Sequence, residues 1–143
     1  MRRLVMLVLT IAAVSMPAIA EPVSLNGEAL RQLASDNTVF LQSPYGTLPV
    51  SFKSDGTLSG KATGSLAAFL GSTSDRGRWS VKGDRICQKF FKWFDGEMHC
   101  LHVRQEGRRI LWRRDDGLSG TATISANGTP PFEAPSALGA ARR

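Results

Sequence analysis

Apolar and polar positions alternate along most of the chain from residue 38 to residue 125, which is the pattern of half-buried β-strands. In one such run Val50 and Phe52 alternate with Ser51 and Lys53. Asp-Gly pairs and other glycine-containing pairs separate the runs, as tight turns require. The spacing predicts a mainly β fold, a small antiparallel meander or barrel of seven or eight short strands. The predicted strands cover residues 38–42, 48–54, 57–63, 78–82, 85–93, 98–105, 108–114 and 118–125.

A helical period replaces this alternation near the N-terminal end of the predicted domain. Leu30 and Leu33 belong to one apolar face, and Asn26 is suited to cap the first turn. We therefore expect one short amphipathic helix over Gly27 to Ala34. Residues 64–71 fit either a helical turn or a short strand, and the polar residues 72–77 read as a connection.

The first 20 residues have the form of a secretory signal peptide: Arg2 and Arg3, an apolar run over 4–14, Pro17, and small residues up to Ala20. A membrane anchor is the alternative, but a spanning helix needs about 20 apolar residues and this run is shorter. We expect cleavage after Ala20. The prediction is a bacterial protein that is periplasmic or secreted and does not span the membrane after cleavage.

The rest of the chain divides into a single β-rich domain, residues 21–126, and a proline- and alanine-rich tail, residues 127–143, predicted to be disordered or loosely attached. The whole chain has 18 basic and 12 acidic residues. Without Arg2 and Arg3 its net charge falls from +6 to +4. Export argues against nucleic acid as the partner of this basic surface, and favours an anionic polysaccharide, peptidoglycan, a lipid or a protein of the cell envelope.

Cys87 and Cys100 are the two cysteines of the chain. In an oxidising compartment we expect these two cysteines to form a disulfide. Zinc is the alternative, because His99 and His102 lie close by in the sequence. An odd spacing on a strand sends these two imidazoles to opposite faces, so we predict the disulfide and neither a metal nor another cofactor.

Residues suited to catalysis do not form a recognisable set. Asp55, Asp95 and Asp116 each precede a glycine and read as turn residues. A nucleophile elbow is missing, which favours a non-catalytic domain. An enzyme acting on envelope glycans is the alternative, with Glu97, Asp116 or its neighbour Asp115 as the carboxylates.

Aromatic and basic side chains are concentrated around the predicted turn at residues 95–96. Strict alternation would turn either Phe90 and Phe94 or Phe91 and Trp93 outward. Exposed aromatic rings beside cations suit stacking on sugars or cation–π contacts, whereas a covered aromatic cluster is the alternative. The candidate binding patch consists of Lys89, Phe91, Lys92, Trp93, Phe94, Arg113 and Arg114.

A short motif, Ser-Gly-x-Ala-Thr, occurs at residues 59–63 and again at 119–123. In both places a glycine within a strand leaves room for a neighbour. Duplication of half a barrel and independent use of the same hairpin chemistry explain the repeat equally well.

The residues from Gly77 to Cys87 (GRWSVKGDRIC), followed by Cys100, Trp112 and the DGLSG of 116–120, resemble a pattern in small secreted proteins of alphaproteobacteria. These proteins form a domain-of-unknown-function group. The resemblance covers about residues 25–124 and implies a small β-rich periplasmic domain with a disulfide. It implies no catalytic residues.

These observations predict an exported, disulfide-stabilised, non-catalytic envelope domain that binds an anionic glycan, a lipid or a protein. A small inhibitor of an exported hydrolase is the alternative within the binding class.

Intact mass spectrometry of the exported protein tests both the cleavage site and the disulfide. We expect a chain that begins at Glu21 and gains two hydrogen atoms on reduction. An unreduced protein that already alkylates at both cysteines would contradict the disulfide.

Overall fold

A computed structural model describes residues 12–16 and 21–126 of the chain. Of the predicted signal peptide only residues 12–16 are described, and they are exposed without regular secondary structure. The predicted tail, residues 127–143, lies outside the described residues. Among the described residues, no helix is both long enough and apolar enough to cross a membrane.

Nine strands, two α-helices and one short 3₁₀ turn make up the described chain. The strands are β1 Val23–Ser24, β2 Asn37–Ser43, β3 Gly46–Phe52, β4 Thr57–Lys61, β5 Ser74–Lys82, β6 Arg85–Phe90, β7 Met98–Glu106, β8 Arg109–Arg114 and β9 Ser119–Ala126. The helices are α1 Gly27–Ala34 and α2 Gly64–Leu70, and the 3₁₀ turn is Trp93–Gly96.

Strands β2 to β9 form a closed antiparallel barrel in which each strand pairs with the next one along the chain. The barrel closes because β9 also pairs with β2, with Val39 opposite Ile124. The two-residue strand β1 lies beside β7 as an addition to the barrel, with Val23 opposite Gln105. The predicted mainly β barrel is therefore confirmed, and its number of strands is eight.

A second helix, α2, occupies residues 64–70, where the sequence left a helical turn and a short strand as alternatives. Two other details of the prediction are wrong. Residues 74–77, read as a connection, are the first part of β5. The strand predicted over 85–93 stops at Phe90, because the chain turns there and enters the 3₁₀ turn.

The two ends of the barrel differ in how they are covered. The end that carries the β3–β4, β5–β6 and β7–β8 turns, here called the base, is closed by α1. Leu30 and Ala34 of α1 are 1% and 3% exposed and pack into the barrel. The Asn26 side chain caps the helix by accepting from the Ala29 amide at 2.9 Å, and Asp84 of the β5–β6 turn accepts from the Gly27 amide at 3.2 Å. The opposite end, here called the mouth, carries α2, the 3₁₀ turn and the β2–β3 and β8–β9 turns.

Two tryptophans fill the barrel interior where the repeated motif places glycines. A Cβ atom on Gly60 of β4 would lie 2.5 Å from the Trp93 ring, and one on Gly120 of β9 would lie 2.4 Å from the Trp112 ring. Both distances are far inside van der Waals contact. The space that the sequence predicted beside these glycines is therefore taken by an indole ring in each case.

The disulfide joins directly opposed residues of neighbouring strands. Cys87 of β6 lies opposite Cys100 of β7, and their sulfur atoms are bonded. Ile86 and Leu101 beside them face the interior, so the disulfide lies on the outer side of the barrel wall. The predicted pairing is confirmed.

Replacing Gly60 with alanine should destabilise the barrel by roughly 1–3 kcal/mol, because the new methyl group overpacks against the fully buried Trp93 ring. Urea unfolding followed by circular dichroism measures the change. Ser59→Ala, on the outward side of the same strand, is the matched control and should be close to neutral. Equal unfolding midpoints for Gly60→Ala and the wild type would contradict the close packing of the Trp93 ring on Gly60.

Candidate functional site

A pocket of about 290 Å³ opens at the mouth of the barrel. Its walls are mainly apolar and come from the barrel interior and from α2. The apolar lining includes Leu41, Leu48, Leu66, Leu70 and Leu101. A smaller void of about 40 Å³ lies between these walls and α1, and Trp112 lines both spaces. An eight-stranded barrel has an interior that is either filled by side chains or able to hold one small ligand, and here the base is filled and the mouth is open.

Polar side chains on three adjacent strands point into this otherwise apolar pocket. Gln88 of β6 lies opposite His99 of β7, and Leu101 lies opposite Arg114 of β8. Since His99 and Leu101 are two residues apart on one strand, all of these side chains face the interior. The pocket is lined by Gln88, His99 and Arg114 together with Trp112.

The indole of Trp112 carries an unused hydrogen-bond donor. Its Nε1 atom is buried and has no partner among the described residues. The other two indoles are satisfied: Trp79 donates to the Lys53 carbonyl at 2.8 Å, and Trp93 donates to Ser72 Oγ at 2.8 Å. Leaving a buried N–H unpaired costs about 1–3 kcal/mol, so a hydrogen-bond acceptor brought within reach of Trp112 Nε1 would remove that cost.

Two nitrogen-containing side chains, Arg114 and His99, lie at the mouth, and the Arg114 guanidinium brings a positive charge. The Arg114 guanidinium donates a hydrogen bond to Asp116 in the β8–β9 turn. This hydrogen bond, assisted by the Leu118 amide, lowers the pKa of the Asp116 carboxyl. His99 lies edge-on to Phe94, with ring centroids 6.1 Å apart, and its side chain makes no hydrogen bond within the described chain.

Aromatic rings form the outer edge of the pocket. Tyr45 of the β2–β3 turn and Phe69 of α2 are stacked, with centroids 4.6 Å apart and planes inclined at 16°. Both are largely exposed, at 49% and 62%. Their other faces therefore remain available to a molecule that enters the pocket.

Asp75 holds the segment between β6 and β7 in place at the mouth. Its Oδ2 atom accepts from the amides of Lys92 and Trp93 at 2.7 and 2.8 Å, and its Oδ1 accepts from the Arg76 amide. Burial by itself would raise the pKa of Asp75, but these three donors outweigh it and the pKa is lowered.

The segment that Asp75 anchors has an unusual backbone. Phe94 and Asp95 both have left-handed dihedral angles, with φ of 55° and 58°. Such angles are uncommon for a bulky residue and occur preferentially at functional sites. Here they turn the Phe94 ring into the pocket lining.

The residues of the predicted aromatic–basic patch do not share one surface. Trp93 is 0% exposed and cannot belong to an exposed patch, because the chain turns after Phe90 and strand alternation no longer applies. Phe90, Trp93 and Phe94 form a cluster directed inward, with centroids 5.2 and 5.7 Å apart around Phe90. Phe91 is 66% exposed. Lys89, Lys92 and Arg113 are also exposed, whereas Arg114 lines the pocket.

The carboxylates and imidazoles considered for catalysis or metal binding are dispersed. His99 faces the interior, whereas His102 is exposed and lies 3.6 Å from Asp115. Asp115 also pairs with Arg85 at 2.6 Å. Within the described part of the chain, no three His, Cys, Asp or Glu side chains lie close enough together to hold a metal ion.

Sequence reasoning missed Gln88, Trp112, Tyr45 and Phe69 as parts of a site. The alternation in β7, which aligns His99 with Leu101 on the inward face, was the signal that could have indicated a polar group inside the barrel. No sequence signal could have paired Tyr45 with Phe69, because the two rings come from separate connections.

Comparison with protein-family models, with curated proteins and with solved structures finds no match for this chain. The resemblance to secreted alphaproteobacterial proteins therefore stays a prediction, and the functional proposal rests on the geometry of the mouth.

Protonation of Asp75 should loosen the mouth. A carboxyl whose pKa is lower in the folded than in the unfolded chain stabilises the fold above its unfolded pKa of about 4. This stabilisation is lost as the pH falls through the folded-state pKa. We expect Asp75→Asn to cost about 1–3 kcal/mol at neutral pH and to flatten the loss of stability below pH ~4.

Urea unfolding between neutral and acidic pH measures this dependence. Asp95→Asn is the matched control, since Asp95 is exposed and asparagine also tolerates its left-handed angles. Identical pH profiles for the wild type and Asp75→Asn would contradict the anchoring role.

Proposed function

We propose that this protein is an exported, non-catalytic binding domain that holds a small amphiphilic molecule in the mouth of its barrel. The observation that carries the proposal is a mainly apolar pocket lined by Gln88, His99, Arg114 and Trp112, whose buried indole N–H has no partner among the described residues. A pocket with apolar walls and a few convergent polar groups is the usual form of a small-molecule site.

The apolar walls favour a lipid-like ligand over a sugar. A sugar placed against Leu41, Leu48 and Leu101 would lose water from its hydroxyl groups without gaining hydrogen bonds, which is costly. A hydrocarbon or aromatic body gains from the same walls at roughly 25 cal/mol for each Å² of apolar surface that it buries.

The polar groups of the mouth favour an acidic head group on that ligand. An oxygen atom could accept from Trp112 Nε1, and a negative charge would lie near the Arg114 guanidinium and His99. Arg114 already shares its charge with Asp116, so the attraction is smaller than for an unpaired guanidinium. The pocket volume of about 290 Å³ suits a molecule with a short chain or a single ring system, or the end of a longer chain.

The enzyme alternative has less support in the arrangement of its carboxylates. Asp115 and Asp116 are held by Arg85 and Arg114, and Asp115 lies with His102 on the outer side of the barrel. A glycoside hydrolase needs two carboxyl groups facing each other across a bound sugar.

Octanoate, a short chain with a carboxylate, is a suitable probe for the pocket. We expect its titration to shift the indole ¹H–¹⁵N cross-peak of Trp112 in the NMR spectrum and to leave those of Trp79 and Trp93 in place, because their N–H groups are already bonded within the protein. Trp112→Phe identifies the cross-peak by its loss.

Neutralising one arginine at a time distinguishes the mouth from the rest of the basic surface. Arg114→Gln should weaken octanoate binding about tenfold, as expected for one charge-assisted contact. Arg113→Gln removes the same charge from the adjacent, outward-facing position and is the matched control. Equal weakening by both variants, or a common shift of all three indole cross-peaks, would refute the pocket as the binding site.

A further inference from the structure

The outer side of β4, β5 and β6 carries a dense group of positive side chains. Outward-facing positions alternate along each strand and bring cations from three neighbouring strands together. We call this surface the basic wall, and it consists of Lys61, Arg76, Arg78 and Lys89 on the three strands and of Lys92, which follows β6. All five residues are exposed.

Within the described residues, no ion pair neutralises a cation of the basic wall. The outward positions of β4, β5 and β6 contain no carboxylate. Two carboxylates lie close enough to interact electrostatically with a cation of the wall, Asp55 of the β3–β4 turn with Arg78 and the inward-facing Asp75 with Lys92.

The pairing of like charges inside the wall works against folding. Arg78 of β5 lies directly opposite Lys89 of β6. Opposed like charges destabilise a sheet, so this pair does not serve the stability of the barrel. An anionic partner would turn the repulsion into attraction.

Exposed apolar side chains lie at the mouth edge of the same surface. Met98 is opposite Lys89 and is 50% exposed. Phe91 directly precedes Lys92 and is 66% exposed. An open groove of about 700 Å³ runs beside Phe91, and its lining includes Lys61, Arg76 and Lys92 together with Asp75. Cations combined with exposed aromatic and aliphatic groups match the boundary of a bilayer, where head groups are charged and the layer beneath is apolar.

We propose that the basic wall docks this protein on an anionic lipid bilayer, with Phe91 and Met98 entering the head-group region. A soluble polyanion would satisfy the five cations but would offer no environment for these two apolar side chains, and for that reason the bilayer is the favoured partner. The docking does not depend on the pocket being a ligand site. It would, however, place the mouth of the barrel beside the membrane.

Co-sedimentation with lipid vesicles tests the proposal. Vesicles containing phosphatidylglycerol should bind the wild-type protein, pure phosphatidylcholine vesicles should not, and high salt should release it. Each cation near an anionic surface contributes about fivefold to binding, so the double variant Arg78→Ser, Lys89→Ser should bind about 25-fold more weakly. Phe91→Ser should also weaken binding while keeping its dependence on salt.

The double variant Arg104→Ser, Arg109→Ser is the matched control, because it removes two exposed cations from the outer side of β7 and β8. It should change vesicle binding far less. Equal losses in the two double variants would overturn the basic wall as the docking surface. Binding to soluble polyphosphate while the vesicles stay free of protein would overturn the bilayer as the partner. Arg78, Lys89 and Phe91 are absent from the pocket lining, so octanoate binding can succeed or fail independently.

Discussion

The structure depends on the seating of two indole rings against glycines inside a closed barrel. Trp93 lies over Gly60 and Trp112 lies over Gly120, and neither glycine could carry a side chain without displacing the ring. The two tryptophan–glycine contacts have different consequences. The Trp93 indole is fully buried and donates to Ser72, so that region is a filled core. The Trp112 indole packs on its glycine in the same way, but its N–H has no acceptor among the described residues, and the ring lines the candidate site.

The asymmetry between base and mouth follows from what covers each end. At the base, α1 inserts Leu30 and Ala34 into the barrel and closes it. At the mouth, the covering pieces are short: α2, the 3₁₀ turn and two turns contribute side chains such as Tyr45 and Phe69 to an edge. A buried carboxylate, Asp75, holds the 3₁₀ turn by accepting from backbone amides instead of binding a cation.

Much of the fold could be predicted because strand alternation and turn chemistry are local properties. The predicted boundaries of most barrel strands lie within a few residues of those observed. The disulfide could be predicted because the chain has two cysteines and a predicted signal peptide. The stretch from Ser74 to Gly77 was missed because its inward residues, Asp75 and Gly77, are not apolar. Position 77 requires glycine because a Cβ there would lie 2.0 Å from the Lys89 carbonyl oxygen, a constraint that exists only once β5 and β6 are paired.

The sequence alone determined that the chain builds a β-barrel with a disulfide, a helix and an excess of positive charge, since these follow from residue types and their spacing. Tertiary structure decided which aromatic residues are buried. It placed Trp93 in the core, although continued alternation from β6 would have turned it outward, because the strand ends at Phe90 and the chain turns. It also brought Gln88, His99 and Arg114 together from three strands, and Arg78 against Lys89. Closure of the barrel sets the register between strands that are distant in the sequence. A site whose side chains are brought together by that register leaves no local pattern in the sequence.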